Sequence, residues 1–498
     1  MEKGRGSENL SKRSFHALKW NYMGNGVNML SQFLIGIVLA RLLEPGDFGV
    51  VAIAWLMIGI GKLISDFGFS AALVQRSDLT ERDIRFVFTV QVSLGGILGL
   101  TGFYLADFIA EFFNNLNAAP VIQVMALLFL IQPFGQISSA MLARELAFKT
   151  NQIIRIASYL VGYIFVGIPC AYLGFGPWSL VAAQLVQSLL FATLAVYMSN
   201  VPMRLALKPS STGLFSFGTK VIGANLASWG ISNLDSFIVG HTLAISDLGL
   251  YNRAMALVAS PVGAVTASLQ SVLFSACSRA QTDQDRIKRA YLAATATIGF
   301  ICLPVFLTVA VVPEAVILGL YGEKWAAAVP ILIPLALAMP VNALLAVVGP
   351  VLTAMDKVEI ELRAQAISLI IMLPVLYLTA QYSLATLAWG VLSICILRWF
   401  LLVRSILKVL STRWIEMFSA MLWPFLCAFA AAIPTWAIDH LMISLPSPLR
   451  LAIDMAIALL ALLLVTRLFG RPMLKGFHGD FLLVDDRLPI TLRRWLKT

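Results

Sequence analysis

The sequence predicts an all-α, polytopic membrane protein with about fourteen transmembrane helices. Of its 498 residues, 59% are apolar and only 12% are charged, about half the charged share of a soluble domain. Apolar windows of about 20 residues, enough for a helix to cross a bilayer, recur along the whole chain. Basic residues are distributed asymmetrically between alternate connecting segments. We therefore expect lipid to be the main solvent, and no nucleic-acid partner despite the net charge of +10.

The spans follow one another from the beginning of the chain. A basic stretch precedes the first span, which is too long for the apolar core of a signal peptide, so we expect it to be retained. The windows after it contain few charged residues, which is what a membrane helix requires. The fourteen predicted spans are residues 20–40, 46–65, 85–106, 120–142, 153–172, 177–198, 215–239, 252–275, 291–312, 328–352, 364–380, 384–403, 417–437 and 449–468.

The distribution of Lys and Arg predicts the orientation. The two tails and every second loop contain 30 of the 36 basic residues. Because basic residues stay on the cytoplasmic side, this alternation predicts a multi-pass membrane protein with both termini in the cytoplasm. The intervening, outer loops contain only Arg41, Arg253, Lys324 and Arg450.

An internal repeat relates the two halves of the chain. Residues 24–50 and 224–250 align without gaps at an offset of 200, and Asp47/Asp247 and Gly49/Gly249 are among five identical pairs. Further along, Pro133 aligns with Pro340 at an offset of 207. A repeat at a fixed distance indicates duplicated architecture.

Each repeat holds six spans, an even number, so both halves enter the membrane from the same side. Parallel repeats of this kind form transporters whose substrate binds between the halves. Two spans remain outside the repeat, and we expect them to form a lateral groove for a lipid tail, with simple packing as the alternative. The expected regions are a cytoplasmic tail at 1–19, an N-lobe at 20–200, a C-lobe at 201–410, an extra helix pair at 411–470 and a cytoplasmic tail at 471–498.

Polar stripes lie at corresponding positions of spans 1 and 7. Their spacing places the side chains on one face of each helix. Because buried polar groups need partners or water, we interpret the stripes as walls of a wet central cavity, with interhelical hydrogen bonding as the alternative. The stripes consist of Asn25, Asn28, Gln32, Asn225, Ser228, Ser232 and Asp235.

Three cations are candidates for contact with an anionic passenger. Lys62 and Arg398 lie inside spans 2 and 12, and Arg41 ends span 1 at its outer rim. A charge inside the bilayer is costly and normally faces a cavity or a partner. The alternatives are pairing of Lys62 with Asp66 and snorkelling of the long side chains to the headgroups.

The sequence argues against an enzyme. It contains no GxxxxGK[ST], HExxH or GxSxG motif, and its four His and five Cys residues are scattered. We therefore expect no cofactor, no metal site and no catalytic residue. The predicted outer loops have at most about fifteen residues, too few for the extracytoplasmic domain of a polysaccharide polymerase or ligase, which stays the less favoured alternative.

The run from Ala40 to Gly49, ARLLEPGDFG, resembles the hallmark turn of Wzx-type bacterial polysaccharide transporters. These belong to the multidrug/oligosaccharidyl-lipid/polysaccharide exporter superfamily, and the chain is most similar to its colanic acid and xanthan exporters. The resemblance extends over about residues 12–410. Supporting segments are residues 66–76, 234–235, 249–254, 274–279 and 321–325.

This resemblance implies a flippase that moves an undecaprenyl-diphosphate-linked oligosaccharide across the inner membrane by alternating access, for exopolysaccharide, capsule or O-antigen assembly. It also implies membrane lipid as a partner, with polymerase and chain-length proteins of the same export pathway as further partners. A drug/cation antiporter of the same superfamily is the alternative. Those antiporters often carry a carboxylate in the first span, which is lacking here, and Asp235 is what keeps that alternative open.

Overall fold

The computed structural model is built of α-helices joined by short turns. It describes residues 2–75, 79–199, 201, 203–206, 214–281 and 283–478. Within these residues there is no β-strand, and thirteen helical segments are long and apolar enough to cross a membrane. The predicted all-α, polytopic fold class is confirmed.

In the first part of the chain, a π-helical segment, Val161–Gly167, connects α8 to α9. The helices are α1 (Glu2–Leu42), α2 (Pro45–Asp66), α3 (Phe69–Gln75), α4 (Glu81–Tyr104), α5 (Ala106–Phe112), α6 (Ala118–Met125), α7 (Leu128–Arg144), α8 (Phe148–Leu160), α9 (Ile168–Tyr172) and α10 (Pro177–Ser199).

In the remaining part, a 3₁₀ helix, Glu323–Ala328, precedes α15. The helices are α11 (Leu214–Thr242), α12 (Ile245–Arg279), α13 (Gln284–Val311), α14 (Pro313–Leu320), α15 (Val329–Ala346), α16 (Val348–Ala354), α17 (Val358–Ala380), α18 (Leu384–Val409), α19 (Trp414–Leu441) and α20 (Ser447–His478).

The helices follow the predicted spans, with differences at their ends. The predicted span 120–142 is divided between α6 and α7, and α1 starts at Glu2, so the predicted N-terminal tail is helical and continuous with span 1. Helix α11 covers the predicted span 215–239, and the side chains of residues 214–224 lie outside the described ones. Residues 479–498 of the predicted C-terminal tail also lie outside the description.

The chain forms two compact units. The first contains Met1–Leu257, Leu320–Ala328 and Val375–Leu387. The second contains Val258–Gly319, Val329–Pro374 and Ala388–Thr498. The lobe limits at residues 200 and 410 rest on the repeat and stay a prediction.

Local sequence explains why α2 begins where it does. Glu44 has extended dihedral angles, φ −88° and ψ 155°, and Pro45 occupies the first turn, where its missing N–H leaves no hydrogen bond unmade. The Asp47 carboxylate accepts the backbone N–H of Glu44 at 2.9 Å. This acidic side chain also suits the positive end of the helix dipole.

The same turn recurs 200 residues later. The Asp247 carboxylate accepts the backbone N–H of Ala244 at 3.3 Å, just before α12. In addition, the N–H of Asp47 donates to the Glu44 carbonyl at 3.1 Å, and that of Asp247 donates to the Ala244 carbonyl at 2.9 Å. The repeat read from the sequence is therefore a repeat of backbone hydrogen bonding.

Two glycines let the repeated turns touch within the first unit. A Cβ atom on Gly49 would lie 1.9 Å from the carbonyl oxygen of Ile245. A Cβ atom on Gly249 would lie 1.8 Å from the carbonyl oxygen of Pro45. Each glycine thus packs against the start of the other helix, and only a residue without a side chain fits at either position.

The extra helix pair belongs to the second unit. Helix α19 packs along α13, and α20 packs along α19. Gly299 of α13 lies against Met421 and Pro424 of α19, and Cys427 and Ala431 are fully buried on the same helix. Close packing of small residues is the usual way in which membrane helices associate.

Candidate functional site

Lys62 and Arg155 line one polar pocket in the first unit. Lys62 lies in the last turns of α2, and Arg155 lies in the third turn of α8. The pocket has a volume of about 510 Å³, and Asp66, Gln136 and Ser139 contribute to its wall. A smaller pocket of about 170 Å³ shares Lys62, Arg155 and Gln136. We call these two spaces together the first-unit pocket.

Neither cation of the first-unit pocket has a carboxylate partner. In the described part of the chain, no Asp or Glu oxygen lies within 4 Å of either charged group. Asp66 is engaged elsewhere, since its Oδ1 accepts hydrogen bonds from Ser70 and, at 3.1 Å, from the amide of Gln91. Lys62 is repelled by Arg155 and attracted by Asp66. Two cations and one carboxylate line this pocket, so it keeps a net positive charge that attracts an anion.

The rest of the first-unit pocket is rich in hydrogen-bonding side chains. The Tyr163 hydroxyl donates to Oε1 of Gln184 at 3.1 Å, and Nε2 of Gln184 donates to the Ser188 hydroxyl at 3.1 Å. In the described structure, the buried Oε1 of Gln132 has no hydrogen-bond partner. The polar residues of the smaller space are Gln132, Gln136, Gln184, Gln187 and Ser188.

Arg398 lines a pocket of the second unit. This second-unit pocket has a volume of about 700 Å³ and is also lined by Gln270, Asn342 and Glu361. The guanidinium Nε is buried and, among the described residues, has no hydrogen-bond partner. Glu361 attracts Arg398 electrostatically, and its Oε1 accepts the amide of Gln365 at 3.1 Å.

The two pockets occupy corresponding positions in the repeat. The offset of 207 that aligns Pro133 with Pro340 also aligns the first residue of α10, Pro177, with the first residue of α18, Leu384. From α7 onward, where this offset applies, four pairs line the two pockets. They are Gly135/Asn342, Ser139/Ala346, Ala143/Pro350 and Phe191/Arg398. The position of the pocket is thus repeated, and the source of its positive charge is not.

Arg41 lies in a different part of the first unit, at the turn between α1 and α2. Its Nε donates to the carbonyl of Leu320 at 2.8 Å. Nearby, the indole N–H of Trp325 donates to the carbonyl of Ala40 at 2.8 Å, and Lys324 pairs with Glu44 at 2.7 Å. These contacts hold the segment 320–328 against the end of α1.

The predicted stripe of span 1 lies beside α8. The Asn25 side-chain oxygen accepts the amide N–H of Gln152 at 2.9 Å. In the described structure, Oδ1 of Asn28 is buried and has no hydrogen-bond partner, whereas Gln32 is exposed. The stripe therefore combines an interhelical hydrogen bond with open polar groups.

The predicted stripe of span 7 is divided between two environments. Asn225, Ser228 and Ser232 are exposed. Asp235 is buried and accepts the Tyr251 hydroxyl at 2.6 Å and the backbone N–H of Ser236 at 2.7 Å. The Asp235 carboxyl group therefore forms these hydrogen bonds within the first unit.

Two basic residues inside helices are not among the candidates that the sequence indicates. Arg155 falls at the start of the predicted span 153–172, whereas α8 begins at Phe148 and places Arg155 in its third turn. Arg253 was assigned to an outer loop, although it lies in the third turn of α12, over the ring of Phe48 at 3.9 Å. The repeat held the signal for Arg253, because an offset of 200 aligns it with position 53, inside span 2.

The chain is similar in sequence to known proteins. Residues 38–330, more than half of the chain, match the family described as polysaccharide biosynthesis protein. The lipopolysaccharide biosynthesis protein WzxC of Escherichia coli is 23% identical over 410 residues, covering 81% of this chain and 80% of that protein. The succinoglycan biosynthesis transport protein ExoT of Rhizobium meliloti is 26% identical over 321 residues, covering 64% of each chain.

The fold has a solved counterpart. The lipid II flippase MurJ in an inward closed conformation superimposes with a TM-score of 0.74 over 92% of this chain and all of that one, at 14% identity. An identity this low shows the fold alone. The family match rests on sequence, and it covers the whole motif ARLLEPGDFG. This chain belongs to the polysaccharide biosynthesis protein family, and its resemblance to the Wzx-type polysaccharide transporters is confirmed.

Proposed function

We propose that this protein is a flippase that carries undecaprenyl-diphosphate-linked oligosaccharide repeat units from the cytoplasmic to the periplasmic leaflet. The observation that carries the proposal is the pair of cations, Lys62 and Arg155, which face one polar pocket and, among the described residues, form no ion pair with a carboxylate. A diphosphate supplies the missing negative charge. The family and the transport function named for ExoT support the same class of activity.

The chemistry of the passenger matches the chemistry of the first-unit pocket. A diphosphate favours Lys62 and Arg155, because charge-assisted hydrogen bonds are stronger than neutral ones. The sugar hydroxyls favour the amide side chains of Gln132, Gln136 and Gln187. In this proposal Arg398 offers a second anion contact in the second unit, and Arg41 acts during passage or release at the outer turn.

The hydrocarbon tail of the passenger stays in lipid. We assign it to the surface of the extra helix pair, which exposes large apolar side chains. On α19 these include Phe418, Phe425 and Phe429, and on α20 they include Met455 and Leu459. A truncation that lacks α19 and α20 and still folds and transports fully would remove this part of the proposal.

The test is flipping in proteoliposomes that contain a defined undecaprenyl-diphosphate oligosaccharide. We expect Lys62→Ala and Arg155→Ala each to reduce flipping about ten- to a hundred-fold, which corresponds to about 1.5–3 kcal/mol for one lost charge-assisted contact. Lys62→Arg and Arg155→Lys should lose less, because the charge is kept. Arg363→Ala is the matched control, since Arg363 forms an exposed pair with Glu359.

A deletion strain separates the alternatives. Lipid-linked units that accumulate in the inner leaflet support flipping. Units that reach the periplasm and stay unpolymerised indicate a polymerase instead. Unchanged polymer export, together with lost efflux of cationic drugs, indicates the antiporter. Repeating the vesicle assay with and without imposed ion gradients identifies the energy source.

A further inference from the structure

A group of ionisable side chains lies at the junction of the extra helix pair, within the second unit. Asp439 is in the last turns of α19, and Arg450 and Asp454 are one turn apart near the start of α20. Glu314, at the start of α14, reaches the same group. Neither the repeat nor the proposed passenger accounts for these four residues.

Arg450 binds two of the carboxylates. Its Nε and Nη2 form a bidentate salt bridge with Asp439, and the Nη2 contact measures 2.6 Å. Its Nη1 lies 3.3 Å from Glu314. The side chains of Arg450 and Asp439 are only 7% and 3% exposed, whereas that of Glu314 is 53% exposed, so water can hydrate its charge.

Asp454 is the group that remains. It is 1% exposed, and among the described residues neither of its carboxyl oxygens has a hydrogen-bond donor. Asp454 lies one turn after Arg450, whose guanidinium binds Asp439, so both carboxyl groups belong to the same buried junction, where they repel one another. An ionised carboxylate in this position would be buried beside another one with no donor to stabilise it, which is strongly unfavourable.

A proton on Asp454 removes the second buried negative charge and supplies the missing hydrogen-bond donor. A protonated Asp454 has an O–H donor, and the Asp439 carboxylate keeps lone pairs available beside its two bonds to Arg450. Both oxygens of Asp439 already accept hydrogen bonds from the Arg450 guanidinium, so the proton belongs on Asp454. Two carboxyl groups that share a site in this way ionise one at a time.

We propose that Asp454 and Asp439 form a proton-binding site in the extra helix pair, in which Asp454 carries the proton and Arg450 holds Asp439 as its acceptor. The site lies at the ends of α19 and α20 that the predicted topology places on the outer side. It is independent of the proposed function, because the ligand is a proton and the site needs no lipid-linked sugar.

Among the described residues, the elements packed around this group contribute no second Lys or Arg to replace the proton. Helix α14 contributes Glu314, α19 contributes Asp439 and the exposed His440, and α20 contributes Arg450. The His440 ring nitrogen Nδ1 lies 2.9 Å from the carbonyl of Trp436, within its own helix. The half of α13 nearest this group, residues 298–311, has no Asp, Glu, Lys, Arg or His in its sequence.

The first test is infrared spectroscopy of the purified full-length protein at neutral pH. A protonated carboxyl group has a carbonyl stretch separate from that of a carboxylate. We expect the wild type to show a protonated-carboxyl band that Asp454→Asn lacks and Glu314→Gln keeps. Superimposable bands in the wild type and Asp454→Asn would overturn the proposal.

The second test is thermal unfolding as a function of pH. Asparagine has nearly the shape of a protonated aspartate, retains a donor and cannot ionise. At low pH the wild type and Asp454→Asn should therefore unfold at the same temperature. As the pH rises, the wild type loses its proton and should become the less stable of the two.

Asp439→Asn is the comparison for this experiment, because it deprives Arg450 of its partner and should lower the unfolding temperature already at neutral pH. An Asp454→Asn variant that is destabilised as much as Asp439→Asn, or that fails to fold, would show that Asp454 is ionised and would overturn the proposal.

Discussion

The first-unit and second-unit pockets show what the repeat preserves and what it leaves free. Both are lined by residues that correspond at an offset of 207. In the first unit the charge comes from Lys62 on α2 and Arg155 on α8, and in the second it comes from Arg398 on α18. At the position of Arg398 the first repeat has Phe191. Backbone packing thus determines where the space lies, and single side chains determine its charge.

In the repeated turns, unlike the pockets, the residue type is the same in both copies. Gly49 and Gly249 each approach a carbonyl oxygen of the other helix, so neither position has room for a side chain. A side chain that projects into a wet pocket meets no such steric limit. The comparison predicts that substitutions at the turns act on folding equally in both copies, whereas substitutions in the pockets act on transport and differ between the copies.

The largest expected effect is at the two glycines. Gly49→Ala and Gly249→Ala should each destabilise the protein by about 3 kcal/mol or more, because Cβ would overlap a carbonyl oxygen and force the helices apart. Thermal unfolding of the purified variants measures this. Gly46→Ala is the control, since no atom lies within 4 Å of its Cβ position. A large difference between the Gly49 and Gly249 variants would contradict the symmetry of the contact.

The next effect concerns charge. Arg398→Ala should reduce flipping about ten-fold or more, because the second-unit pocket loses its cation. Phe191→Arg, placed in an Arg155→Ala background, should restore part of the flipping, since position 191 lines the same space. Lysine at position 398 serves as the charge-preserving control. If Arg398→Ala flips at the wild-type rate, the second pocket takes no part in transport.

A smaller effect is expected at Asp235. The positions that correspond to Asp235 and Tyr251 in the first repeat are Ile35 and Val51, so this polar pair exists in one copy alone. Tyr251→Phe removes the hydroxyl that donates to Asp235 at 2.6 Å and should cost about 1.5 kcal/mol of stability. Unfolding of this variant beside Tyr291→Phe, at another buried tyrosine, checks the value. An antiporter role for Asp235 would instead show as lost transport at unchanged stability.

The smallest effect is at the exposed surface of the turn between α1 and α2. Glu44 pairs with Lys324 at 2.7 Å, whereas the second repeat has Ala244 in place of Glu44. Because both partners are substantially exposed, Lys324→Ala should cost at most about 1 kcal/mol. A double-mutant cycle with Glu44→Gln measures the pairing energy. A coupling well above this value would mean that the two turns are not energetically equivalent.

Sequence reasoning was strongest where one periodic property determines the outcome. Apolar windows predicted the helices, and the identity of Asp47 with Asp247 predicted the repeated turn. It was weaker at helix ends, where Arg253 was expected in an outer loop and Arg155 at the edge of a span. It could not find the first-unit pocket, because Lys62 and Arg155 are far apart in sequence and only the packing of α2 and α8 against α7 and α10 brings them to the same space.

The glycine contact also records a constraint on divergence. In a two-fold arrangement a single residue type serves both sides of an interface, as in a symmetric dimer of identical chains. Gly49 against Ile245 and Gly249 against Pro45 are the two halves of such a self-complementary contact, now within one chain. Because the two copies belong to one chain, each can have its own side chains, as at Glu44/Ala244 and Phe191/Arg398. At the two glycines neither copy can change in this way, since a side chain in either copy would meet the backbone of the other.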